Sequence, residues 1–192
     1  DLKNSLSVLL GQETKLTQKL YATASAHPQR VVFAEGIHPT MLKAAVQAKA
    51  EGICHPILLG NDEVIVKLAK QLDLNLEGIE IVNLRHPNEQ ERRERYARIL
   101  TEKRQREGYT FQEANDKMFE RNYFGMMMVE TGEADAFITG LYTKYSNTIK
   151  VVNEVIGIRP EFNHFGTMHI INSPKGTLYI ADTLVNENPD RS

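Results

Sequence analysis

Cations and hydroxyls crowd into one short stretch of this chain, GLYTKYSNTIK at 140–150. Thr143, Lys144, Tyr145, Ser146, Thr148 and Lys150 follow ADAFIT, an apolar run that reads as a short buried strand. A glycine at the strand's carboxyl end, a loop and a helix start then bring backbone N–H groups and the positive end of a helix dipole to those side chains. The chemistry this favours is recognition of an anion, a phosphate or a carboxylate. Lys144 and Lys150 would supply charge, and the hydroxyls would donate hydrogen bonds. The competing reading is a solvated pair of surface lysines behind an ordinary strand-to-helix turn.

The elements that must position these residues can be read from periodicity. Short apolar runs at 30–36, 55–60, 79–84 and 134–140 are expected strands. Between them, helical spacing predicts helices at 41–51 behind Pro39, at 62–72, at 88–106 and at 148–158. Thr110 with Glu113 forms a capping-box signature for a further helix, and Phe119, Phe124 and the methionines at 126–128 suggest a buried helical piece. Strand and helix alternation to about residue 160 argues an α/β fold with a three-layer, doubly wound sheet. Ligands of such sheets bind outside the carboxyl ends of the strands, here 35–39, 60–62, 83–85 and 140–146. Beyond Pro160 the pattern becomes a hairpin, strands at 167–172 and 177–184, the start of a second lobe. That second strand runs into Asn186, Asn188 and Pro189.

Composition excludes several classes. With 192 residues, 41% hydrophobic and 25% charged, the chain is an ordinary globular one of one to one and a half domains. A net charge of −2 gives no reason to expect nucleic acid or a membrane surface as partner. One cysteine, Cys54, cannot pair internally, which favours a reducing compartment and hence the cytoplasm. No G-x-G-x-x-G, P-loop or G-x-S-x-G is present, and the six histidines lack metal-ligand spacing.

Other conspicuous residues have structural readings. The charge run at 92–106 reads as an exposed helix laced with i,i+4 pairs, with Arg104 set apart for the reason below. His164 and His169 read as satisfied core or turn histidines, Cys54 as an inert buried thiol, and the 126–128 methionines as core. Asp135 and Asp182 are expected to make structural hydrogen bonds.

Several blocks agree, in order and spacing, with one family. RVVFAEG, EGICHPILLGN, NYFGMMMVETGEADAFITG, the 140–150 loop and KGTLYIADTLVNENPD resemble the phosphate acetyl/butyryltransferase family from Arg30 onward. The resemblance implies a phosphotransacetylase or isocitrate-dehydrogenase-like architecture, with CoA and acyl phosphate bound between two α/β lobes. It implies a chain organised as a linker helix from an upstream domain at 1–28, a first lobe at 29–160 and opening strands of a second lobe at 161–192. The family's catalytic serine, arginine and aspartate would lie further on, so no catalytic residue is assigned here. Its CoA-associated arginine falls on Arg104 of EKRQREG, and the arginine of its D-T-L-R segment on Lys150 of NTIK, which keeps the charge but not the bidentate fork. Its histidine and two serines are replaced by Thr143, Lys144 and Tyr145, and a later serine pair by Gly166 and Thr167. The resemblance thus implies an acetyl-CoA or phosphate site drawn from Arg104, Thr143, Lys144, Tyr145, Thr148, Lys150, Gly166 and Thr167.

GLYTKY at 140–145, VIGIRP at 155–160 and the opening LGQETKLTQKLYATA are similar to the C-terminal phosphotransacetylase-like region of bacterial NADP-dependent malic enzymes. This narrower resemblance implies a longer polypeptide that oxidatively decarboxylates malate to pyruvate. Its NADP and divalent metal, Mg or Mn, would be held upstream, with no cofactor in this chain. The region seen would bind acetyl-CoA as an effector and assemble a homo-oligomer. Two alternatives stand beside it: an active phosphate acetyltransferase and a purely structural oligomerisation module.

Overall fold

Four of the apolar runs form a parallel sheet in the order β3-β2-β1-β4, built from β1 (Gln29–Phe33), β2 (Cys54–Leu59), β3 (Glu80–Val82) and β4 (Ala136–Ile138). The computed structural model describes residues 15–173, 176–181 and 185. In register, Val32 lies beside Ile57 and Phe137, and Leu58 beside Ile81. Side chains alternate across the sheet, so each strand feeds two cores. Val32, Ile57, Leu59 and Val82 bury into one cluster, Phe33 and Leu58 into the other.

Helices cover both faces. On the Phe33 side lie α2 (Pro39–Ala50), through Met41, Leu42 and Ala45, and α3 (Asp62–Gln71), through Ile65 and Ala69. On the Val32 side lie α4 (Gln90–Arg104), α5 (Phe111–Lys117), α6 (Arg121–Glu130) and α7 (Tyr145–Val155). The remaining helix, α1 (Lys15–Ala26), precedes β1. The helix starts follow local chemistry. Pro39 opens α2 while His38 Nδ1 accepts from the Thr40 N–H at 3.2 Å. Asn61 Oδ1 accepts from the Val64 N–H at 3.0 Å, and Thr110 and Glu113 close the expected capping box on α5. Helix α7 begins at Tyr145, a turn earlier than its apolar pattern suggests, with Lys144 as N-cap.

This sheet and its helices form one unit, His27–Gly157. The described residues of the flanking stretches, from 15 to 26 and from 158 on, form a second. There β5 (Met168–Ser173) and β6 (Gly176–Ala181) pair antiparallel as the expected hairpin, and Asn172 Nδ2 donates to Thr17 Oγ1 of α1 at 2.9 Å. Asp182, Leu184, Asn186, Asn188 and Pro189 lie outside the described residues.

Two expectations are corrected. His164 and His169 are exposed: the first sits in a bend, in keeping with the turn reading, whereas the second is neither core nor turn but lies on a hairpin strand whose apolar side chains also face outward. The α4 charge run is laced only in part along its own face, by the i,i+3 pairs Arg92–Glu89 at 3.1 Å and Arg104–Glu107 at 2.7 Å rather than by i,i+4 pairs. Other pairs reach across: Arg92 and Arg95 to Glu133, and Lys103 to Glu130 at 2.5 Å. Arg93 departs further, being buried, because it falls three, four and seven residues before Tyr96, Ala97 and Leu100 on the helix's inner face. Cys54 is buried, its thiol pushed up by that burial, the methionines at 126–128 are core, and Asp135 pairs with Arg30 at 2.8 Å. Those three structural readings match.

Candidate functional site

A cleft of about 980 Å³ opens at the carboxyl ends of β2 and β3. Gly60 and Asn61 follow β2, and the segment from Asn83 to Pro87 follows β3. Its opposite wall is the turn between α5 and α6, with Lys117, Glu120, Arg121, Asn122 and Tyr123, together with Thr143, Asn147, Lys150 and Val151 around the start of α7. The lining therefore carries four permanent cations, Arg85, Lys117, Arg121 and Lys150, against one carboxylate, Glu120.

The β3 side is fixed by α4. Arg93 donates from Nη1 to the carbonyls of Leu84 (2.6 Å) and His86 (3.0 Å), and its guanidinium stacks over Phe119. A buried arginine thus sets the loop that presents Arg85 to the cleft. Asn83 Nδ2 donates to Asp62 at 2.9 Å and its Oδ1 accepts from the Arg85 N–H at 3.3 Å, joining the same loop to α3.

Glu35 fixes the other side. It is 1% exposed, and its Oε1 accepts from the Thr139 hydroxyl at 2.8 Å and from the Gly140 N–H at 3.2 Å. That anchors the end of β4, where Gly140 at φ +139° turns the chain in a conformation L side chains rarely adopt. Thr139 Oγ1 also lies 3.2 Å from Asn122 Oδ1 on the cleft wall. Beyond Gly140, Tyr142 makes two contacts: His38 meets it edge-on at 5.4 Å and the Arg121 guanidinium lies over its ring at 5.4 Å.

Three helix N-termini border the cleft and their charges differ: α3, α7 and α6, the last with Glu120 as N-cap and Arg121 as its first residue. Helix α3 carries Asp62 and Glu63 in its first turn, which offset its dipole. Helix α7 has no acid in its first turn, no side-chain cap, and a lysine as N-cap. The α7 end is therefore the positive one, and Lys150 adds to it one turn on.

Of the residues nominated from sequence, Thr143 and Lys150 line the cleft. Lys144, Tyr145 and Thr148 lie on the same segment but do not line it, because a helix shows only one face to one side. That face is Asn147, Lys150 and Val151. Arg104 is elsewhere, at the far end of α7: its Nε donates to the Glu154 carbonyl at 2.6 Å, and it also binds the Asn153 carbonyl and pairs with Glu107 at 2.7 Å. Gly166 and Thr167 belong to the second unit, just before β5. Sequence reading missed Lys117, Arg121, Asn122 and Tyr123, which sit at no strand end and reach the cleft only through the packing of α6. Among the described residues no group of three or more His, Cys, Asp or Glu could hold a metal ion, and no helix is long and apolar enough to cross a membrane.

A sequence model described as phosphate acetyl/butaryl transferase matches residues 15–192. The chain belongs to the phosphate acetyl/butaryl transferase family. Within it, the chain is 33% identical over 184 residues to the NADP-dependent malic enzyme of Escherichia coli, covering 93% of this chain and 24% of that protein. It is 31% identical over 173 residues to the phosphate acetyltransferase of Synechocystis, covering 89% of this chain and 24% of that protein. The chain thus spans about a quarter of the length of these curated relatives. Its fold superposes on the EutD phosphotransacetylase from Staphylococcus aureus with a TM-score of 0.74 at 25% identity, covering 89% of this chain and 51% of that one. The phosphotransacetylase-like α/β fold expected from sequence is the one observed.

Proposed function

We propose that this chain is the phosphotransacetylase-like, acetyl-CoA-binding regulatory region of an NADP-dependent malic enzyme. The observation that carries the binding half of this reading is the cationic cleft at the strand ends, where Arg85, Arg121 and Lys150 flank an uncompensated helix N-terminus. A volume near 980 Å³ suits an extended ligand of the size of CoA, and separated cations suit its separated phosphates. Lys150 from α7 and Thr143 from the loop before it contact the anion, with Arg121 and Arg85 on the facing walls. The malic-enzyme half is supported by GLYTKY and VIGIRP and by the 33% identity to the Escherichia coli protein.

In this account malate decarboxylation, with its NADP and Mg or Mn, belongs to another part of the polypeptide. Acetyl-CoA lowers that activity by binding one state of a homo-oligomer better than another, a coupling typically of about 1–3 kcal/mol. The test is malate-dependent NADPH formation by the intact protein with acetyl-CoA titrated in. Inhibition that is lost in Lys150→Ala supports the reading. Activity indifferent to acetyl-CoA reduces the region to assembly, and acetyl phosphate formed from acetyl-CoA and phosphate makes it an acetyltransferase, as the Synechocystis relative's name would have it.

A further inference from the structure

Behind the cleft wall stands a carboxylate that no part of the reading above uses. Glu154, on the last turn of α7, has Oε1 3.7 Å from Lys150 Nζ and Oε2 3.7 Å from Lys117 Nζ. Its Oε2 also accepts the hydroxyls of Tyr109 and Tyr123. Lys117 in turn donates to the Tyr123 oxygen at 2.9 Å and lies over the Tyr123 and Tyr109 rings. Lys117, Tyr123 and Lys150 line the cleft, whereas Glu154 and Tyr109 do not.

We propose that Glu154 is an internal stand-in for the ligand's anion, keeping Lys117 and Lys150 neutralised and oriented until a phosphate group takes them over. The proposal rests on reading the cleft as an acetyl-CoA site and names how that site is kept ready. Two features of the geometry support it. Both lysine contacts are at 3.7 Å, close enough for charge attraction but beyond the 2.7–2.9 Å of a charge-assisted hydrogen bond. Both tyrosine hydroxyls donate to Oε2 and fix the carboxylate in place, while Oε1 faces Lys150 only at the longer distance. Lys150 is 68% exposed on its side chain, so a phosphate can approach to full hydrogen-bond distance from the open side and win the contest. Burial opposes the charge of Glu154, but the two tyrosine hydrogen bonds and the lysines outweigh it and hold the carboxyl below its ordinary range, so the stand-in is charged at neutral pH.

Glu154 acts through the lysines and is a positioning residue. A merely structural strap between α7 and the α5–α6 turn would give a different outcome on substitution. The experiment is calorimetric titration of the intact protein with two probes, inorganic pyrophosphate and acetyl-CoA, at low and high salt. Glu154→Gln, which keeps the shape and one acceptor, should tighten pyrophosphate about fivefold at low salt, with the gain shrinking at high salt. The gain should vanish in a Lys150→Ala background. Tyr109→Phe, outside the cleft, leaves the carboxylate with one donor fewer and a stronger hold on the lysines, so affinity should fall about twofold. Unchanged or weaker binding in folded Glu154→Gln, or a gain that persists without Lys150, overturns the proposal. If Glu154→Gln does not fold, Tyr109→Phe decides, and unchanged affinity there overturns it. Binding of pyrophosphate but not acetyl-CoA removes the acetyl-CoA reading and keeps the contest, whereas binding of neither removes both.

Discussion

Arg104 Nε donates to the Glu154 carbonyl at 2.6 Å, closing the last turn of the helix whose first turns line the cleft. The last carbonyls of a helix have no partner within it, and a cation there also meets the negative end of the dipole. Lys103 adds a bond to the Ile156 carbonyl at 3.0 Å. The arginine that the family resemblance marks for CoA is thus employed here in fixing α7. Arg104→Ala should destabilise the protein by about 1–2 kcal/mol in urea unfolding, with Arg104→Lys recovering part of it. Acetyl-CoA affinity should fall less in Arg104→Ala than in Lys150→Ala. Full stability combined with lost binding would instead make Arg104 a ligand contact.

Gly125 predicts a result opposite to helix propensity. A Cβ there would meet the Phe137 ring at 2.3 Å and Leu59 Cδ1 at 3.1 Å, because α6 crosses β4 and β2 at this point with nothing between. Alanine in a helix interior normally gains up to about 1 kcal/mol over glycine. Here the overpacking should win, and Gly125→Ala should cost about 1–3 kcal/mol in the same unfolding experiment. A stabilised variant would mean that Phe137 moves freely, and that the β4 end is not held as described.

Asp135 sets an acid limb. Its hydrogen bonds from the Arg30 side chain and backbone hold its carboxyl at about 2, below the ordinary 3.8. A depressed carboxyl stabilises the folded state above its unfolded value, and the contribution is lost as pH falls through the folded one. The pH-dependent part of the stability difference between wild type and Asp135→Asn should therefore be constant above 3.8 and shrink toward about 2. Parallel stability curves across that window would contradict the pairing.

The sequence made the sheet legible because parallel strands are buried on both faces and read as continuous apolar runs; Val32 with Phe33, and Leu58 with Leu59, are such neighbours. Thr110 with Glu113 was equally plain, since a capping box is a local event. What local patterns could not show was partnership over distance. Arg95 and Lys103 have acids on their own helix, yet pair with Glu133 and Glu130 at and beyond the end of α6. Arg93 carried a usable signal, its place on the stripe with Tyr96 and Leu100, hidden by the charge around it. In the cleft, Thr143 and Lys150 were found because they follow a strand. Arg121 and Tyr123 were missed because they follow a helix.

Titration of acetyl-CoA into the intact protein, in wild type and in Lys150→Ala with Arg121→Ala, tests the central claim most directly. The account predicts saturable binding that weakens with salt, as phosphate recognition by exposed cations must, and that drops at least about tenfold in the double variant. Undiminished binding in a correctly folded double variant would contradict it, and would move the acetyl-CoA site away from this cleft.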